Sequence, residues 1–182
     1  MKTKRIISIL LVSLMLLTTM QPFSVFAETE NAVITVESVS AAPGATVDVV
    51  ITIENNPGIL GASVKLEYDS GLTLIGAING EAFSPLTFSK PGKFTSPCIF
   101  GWDGQELSVE QVKDGTILTL QFQIDANAES GNEYDVKLSY EPGDIVDFDD
   151  LQPITVDMVN GVVSVVDYMP GDLDENDVVN MT

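Results

Sequence analysis

The sequence predicts an all-β protein, a two-sheet antiparallel β-sandwich, on three observations. Apolar residues from Ala32 onward recur with a period of two. The apolar runs are short and are cut by turn dipeptides such as Pro43-Gly44, Ser70-Gly71, Asn79-Gly80, Asp114-Gly115, Pro142-Gly143 and Asn160-Gly161. No stretch carries the pattern of a long amphipathic helix.

Each element follows from that alternation. Val33–Val39 is an apolar run that ends before Pro43-Gly44. Val47, Val49, Ile51 and Ile53 then alternate with Asp48, Val50, Thr52 and Glu54. Ala62, Val64, Leu66 and Tyr68 alternate with Ser63, Lys65 and Glu67, so one set faces a core while Gly61, Ser63 and Lys65 face out. Leu72–Ala77 and Cys98–Trp102 are further strand-like runs, and Leu107–Val112 suits a short helical turn. Leu118, Leu120, Phe122 and Ile124 alternate with polar residues, as do Tyr134, Val136, Leu138 and Tyr140. Ile145–Phe148 and Val156–Val166 complete the series, with Tyr68, Phe94, Phe122 and Tyr140 expected in the core.

The flanks set the compartment. Lys2, Lys4 and Arg5 precede an apolar stretch from Ile6 to Met20, and Val25-Phe26-Ala27 offers the small residues of a cleavage site. Residues 1–27 therefore read as a signal peptide; the apolar run is too short and its flank too polar for a comfortable membrane span. The protein is expected to be secreted. The remaining residues, 28–182, suffice for one domain at 28–166, a connector at 167–170 and an acidic segment at 171–182. The full chain carries a net charge of −19; its leader holds three positive charges and no acid, leaving −22. Such a surface repels nucleic acid and anionic membranes and keeps an extracellular protein soluble.

Catalysis finds little support. There is no histidine, and Cys98, the single cysteine, lies in an apolar run where a structural role is expected. No Gly-x-Ser-x-Gly motif occurs, and no carboxylate pair is set at a defined separation. A carbohydrate-binding β-sandwich is the alternative reading. It would need a planar strip of exposed aromatics, whereas Trp102 is the single tryptophan and most Tyr and Phe residues sit at core parity. The cluster Asp147, Asp149 and Asp150 reads as a solvated loop rather than a cation site.

The terminal run Gly171–Thr182 carries a metal-binding pattern. Asp172, Asp174, Asn176 and Asn180 occupy positions one, three, five and nine of a calcium loop of the EF-hand type, and Val178 would offer its carbonyl at position seven. Asp177 stands at position six, where such loops want glycine, and position twelve would be residue 183. Calcium binding is thus expected only if the loop is completed beyond residue 182. This run resembles the start of a dockerin.

Residues Ala32 to about Val166 resemble a cohesin. The pieces occur in order: Val33–Val39 with Ala42-Pro43-Gly44, Gly61–Asp69 ending in Glu67-Tyr68-Asp69, Ile99-Phe100-Gly101-Trp102-Asp103, Lys113-Asp114-Gly115 leading into Thr116–Ile124, then Asp150-Leu151 and Gly161–Val165. The resemblance implies a jelly-roll-like sandwich that recognises a dockerin through one flat sheet face, without catalysis. Carried over by position, the contacts fall on Gly61, Ser63, Lys65, Ile99, Gly101, Trp102 and Leu151. The best-known family pattern has Asn and Asp where Gly61 and Ser63 stand and Glu where Trp102 stands, which implies a divergent specificity group. For Trp102, burial is the commoner fate of a large aromatic, and exposure at a strand end would make it a hot spot. The partners implied are dockerin-bearing proteins such as polysaccharide-degrading enzymes. A completed dockerin would in turn plug into a second cohesin, making the chain an adaptor scaffoldin of a cellulosome.

Overall fold

A computed structural model describes residues 31–167. The leader and the acidic loop with Asp172, Asp174, Asn176, Val178 and Asn180 lie outside the described residues. The chain runs through β1 (Ala32–Val36), β2 (Val39–Ala41), β3 (Thr46–Glu54), β4 (Ile59–Tyr68), β5 (Leu72–Asn79), β6 (Thr87–Ser89) and β7 (Cys98–Asp103). A 3-10 turn at Val109–Gln111 falls within the segment expected to make one. Then follow β8 (Gly115–Ile124), β9 (Glu133–Ser139), β10 (Ile145–Asp147), β11 (Val156–Val159) and β12 (Gly161–Val165).

Two sheets pack face to face, as the alternation requires. One has the order β11-β1-β3-β8-β5; the other runs β2-β12-β9-β4-β7-β6, with β10 also on β4. Strands β9 and β10 share one edge of β4: β10 pairs with Ile59–Ala62 and β9 with Lys65–Tyr68. The inner faces meet in a single core that includes Ile34, Val49, Ile51, Val64, Leu66, Phe100, Leu120, Phe122 and Val163, all at most 1% exposed. Each such side chain contributes about 1.5–3 kcal/mol by leaving water. Tyr68 packs edge-on against Phe122 at 5.1 Å, and its hydroxyl donates to the Phe94 carbonyl at 2.9 Å. Cys98 is buried, and that burial pushes its thiol pKa up, consistent with a structural cysteine.

The pairing is not antiparallel throughout. Strand β1 runs parallel to β11 in the first sheet, and β2 runs parallel to β12 in the second. Both chain ends therefore cross from one sheet to the other side by side. Asn160-Gly161, which reads as a turn signal in the sequence, is such a crossing and not a hairpin. Glycine is required there: a Cβ on Gly161 would lie 2.6 Å from the Glu37 carbonyl oxygen and 2.8 Å from Val36 Cγ1. The Asn160 side chain accepts from the Leu138 amide at 3.0 Å, and Ser38 Oγ accepts from the Val162 amide at 3.1 Å, holding both crossings in place.

Candidate functional site

Strands β4 and β7 lie at the middle of a flat outer surface on the second sheet, with β6 flanking β7. Their register sets the rows. Gly61 stands opposite Asp103, Ser63 opposite Gly101, and Lys65 opposite Ile99. Across β7, Thr87 stands opposite Asp103 and Ser89 opposite Gly101. All these residues share the outward parity, while Ala62, Val64, Leu66, Cys98, Phe100 and Trp102 point into the core.

Two exposed apolar side chains flank this surface, one on β7 and one in the loop that follows β10 on the other edge of β4. Ile99 is 59% exposed on β7, and Leu151 is 60% exposed in the loop after β10. Between them the side chains are small. Gly61 lies beside Val146, whose Cγ2 would be 3.1 Å from an added Cβ, so bulk is excluded there. At Gly101 an added Cβ would meet nothing closer than 3.8 Å, so the fold does not itself demand glycine.

Leu151 is held out by its loop. Its φ of 58° puts a γ-branched residue in the left-handed region, a conformation costing about 1–2 kcal/mol. The loop offsets that cost with local bonds. Asp147 Oδ1 accepts from the Asp150 amide at 3.1 Å, and the Phe148 amide donates to the Gly58 carbonyl at 2.9 Å. The Asp150 hydrogen bond, the largest contribution, holds the Asp147 carboxyl below its usual range. Persistent strain of this kind clusters at functional sites.

Of the positions the sequence analysis assigned to the face, Gly61, Ser63, Lys65, Ile99 and Gly101 share one surface, with Leu151 in the loop that β10 leads into. Trp102 does not belong to it. It is 3% exposed, its Nε1 donates to Asn79 Oδ1 at 2.7 Å, and it packs against Phe83 and Phe88. The reason is strand parity: Trp102 shares the core side with Cys98 and Phe100. Its outward neighbour, Asp103, takes the place on the face. The same parity was present in the sequence and would have selected Asp103. Ser89 and Thr87 were missed as well, because β6 is only three residues long and shows no alternation to read.

Among the described residues no group of three or more His, Cys, Asp or Glu side chains is placed to hold a metal, Asp147, Asp149 and Asp150 included. The face is instead a preformed surface with protruding apolar anchors.

The model of the cohesin domain matches residues 32–165. A non-cellulosomal cohesin from the hyperthermophilic archaeon Archaeoglobus fulgidus superposes with a TM-score of 0.65 at 18% identity, over 81% of this chain and 99% of that one. The OlpC cohesin of Clostridium thermocellum, solved in a type I complex with a dockerin, superposes at 0.62 with 24% identity, over 75% and 94% of the two chains. A type III cohesin from the ScaE cell-surface anchoring scaffoldin of Ruminococcus flavefaciens gives 0.61 at 17% identity, over 81% and 94%. No curated protein matches the sequence significantly.

Proposed function

The chain belongs to the cohesin family, and on that premise we propose that the outer surface of β4, β7 and β6, with Leu151, is where it receives its dockerin partner. A cohesin is a non-catalytic protein-binding module, and dockerin recognition is its function; the carbohydrate-binding alternative is not favoured. The observation that carries the choice of face is the pairing of two anchors, Ile99 at 59% and Leu151 at 60% exposure, around small outward residues. A flat, preformed sheet loses little entropy on binding, and buried apolar anchors supply most of the energy at such interfaces.

The leader at residues 1–27 supports secretion. The calcium-loop spacing from Asp172 to Asn180 supports a dockerin of the chain's own, which would bind Ca2+ once completed beyond residue 182 and plug into a second cohesin. The chain would then act as an adaptor scaffoldin in a cellulosome, carrying polysaccharide-degrading enzymes.

The test uses the mature chain, residues 28–182, immobilised against the source organism's culture supernatant with and without EDTA. Calcium-dependent recovery of dockerin-bearing enzymes is the expected result. The recovered dockerin, made recombinantly, is then titrated against variants. Ile99→Asp and Leu151→Asp should each cost about 2–4 kcal/mol of binding, roughly 30- to 1000-fold. Ile78→Asp, on β5 of the opposite sheet and 65% exposed, should leave affinity within twofold. Equal losses at Ile78 and Ile99 would move the interface elsewhere, and retention of the chain on insoluble polysaccharide with no dockerin recovered would restore the carbohydrate-binding reading.

A further inference from the structure

The charges around this face are not evenly spread, and their arrangement limits how a partner can sit on it. Residues 31–167 contain five lysines and no arginine: Lys65, Lys90, Lys93, Lys113 and Lys137. Two of them are cancelled in place, since Lys65 pairs with Glu67 at 3.0 Å and Lys137 pairs with Asp135. Lys90 and Lys93 form no ion pair among the described residues, and both are exposed in the loop joining β6 to β7. That loop leads into Cys98 and Ile99, so two of the three lysines without an ion pair among the described residues lie at the Ile99 end of the face; the third, Lys113, lies in the segment before β8.

The opposite end is acidic. Asp103 closes β7 beside Gly61, and Gly61 also pairs with Val146 of β10. Strand β10 ends at Asp147 and leads to Asp149, Asp150 and Leu151, with no lysine in that stretch. Each apolar anchor thus has a charge of its own beside it: lysines near Ile99, aspartates near Leu151. The rows Lys65–Ile99 and Gly61–Asp103 are four residues apart on β4, about 13 Å at the rise of a strand. That exceeds the screening length of about 8 Å at physiological salt, so a bound partner senses the two ends separately.

Resting on the face identified above, we infer that the partner docks in one orientation, with an acidic end against Lys90 and Lys93 and a basic end against Asp103 and the Asp147–Asp150 loop. Lys90 and Lys93 attract carboxylates at the Ile99 end, where Lys65 is already held by Glu67, while Asp103, Asp147, Asp149 and Asp150 outnumber Lys113 at the other. The aspartate end then repels the same carboxylates and rejects the reversed pose. Charges at such a rim act chiefly on association rate and register.

The test measures association rates of the recombinant dockerin recovered above, loaded with calcium, on the mature chain. Lys90→Glu with Lys93→Glu should slow association about tenfold at low salt, the difference falling within twofold near 0.5 M NaCl. Asp103→Lys should also slow it, by about threefold or more. Thr73→Glu, exposed on β5 of the opposite sheet, makes the net charge more negative without touching the face and should have little effect. If Asp103→Lys accelerates binding while the lysine reversals slow it, only net charge matters and the single orientation is wrong. If neither end responds while Ile99→Asp still abolishes binding, the face stands and the polarity falls. If Ile99→Asp binds normally, the face itself is wrong.

Discussion

The two sheets turn different outer surfaces to the solvent. On the five-stranded sheet, outward side chains bond to one another across the strands. Thr46 Oγ1 donates to Gln123 Oε1 at 3.2 Å, and Gln121 Nε2 donates to Asp48 Oδ1 at 3.1 Å. Its exposed isoleucines, Ile75 and Ile78, lie on β5, the margin of that sheet. On the other sheet the central outward positions are Gly61, Ser63 and Gly101, with Ile99 on β7 between β4 and β6. One surface satisfies its polar groups internally and is finished for water. The other leaves its middle low and its anchors bare, which suits a second protein lying across it.

The largest expected effect separates inside from outside on β7. Trp102→Ala should cost about 3–5 kcal/mol of stability, because it empties the space against Phe83 and Phe88 and leaves Asn79 without the indole donor. Ile99→Ala should change stability by no more than about 0.5 kcal/mol, since its side chain is already in water. Urea denaturation of the two variants measures both. A Trp102→Ala protein with native stability and lost binding would return Trp102 to the face.

An intermediate effect is expected at Gly101, where binding and stability should move in opposite directions. The fold leaves room for a side chain, and glycine in a strand forfeits about 0.5–1 kcal/mol of stability. Gly101→Val should therefore raise the urea midpoint slightly. It should also weaken the partner about tenfold, because the new side chain lifts the dockerin off the rows at Ser63 and Ser89. Unchanged affinity would mean that no partner backbone approaches this row, and would shift the contact toward Leu151.

Much of this was legible in the sequence. Period-two patterning identified the buried sides of β4, β8 and β9 and hence the outward set Gly61, Ser63 and Lys65, because a strand's alternation is a local property. Trp102 failed for an instructive reason: position carried over from a family resemblance outranked the alternation of Cys98, Phe100 and Trp102 that was already visible. The parallel pairs β1·β11 and β2·β12 could not be read at all. They join opposite ends of the domain, and an apolar run such as Val156–Val166 does not reveal that its halves belong to different sheets. The bulge between Leu74 and Gly76, which shifts the parity so that Ile78 faces water, is equally invisible in a run of apolar residues.

The smallest effect concerns the loop that presents Leu151. The Asp147 carboxylate accepts the Asp150 amide, a bond that favours the ionised form and lowers its pKa from the ordinary 3.8. A carboxyl with a depressed pKa contributes its full stabilisation above the ordinary value and loses it as pH falls through the lowered one. The Leu151 methyl resonances of the free chain should therefore hold their neutral-pH positions down to pH 3.8 and shift only below it. Asp147→Asn should reproduce part of the acid spectrum at neutral pH while leaving Ile99 unmoved, because Ile99 is held opposite Lys65 in the β4–β7 ladder and needs no such bond. A transition above 3.8, or an Asp147→Asn spectrum identical to the parent, would mean that backbone bonds such as Phe148 to Gly58 hold the loop without the carboxylate.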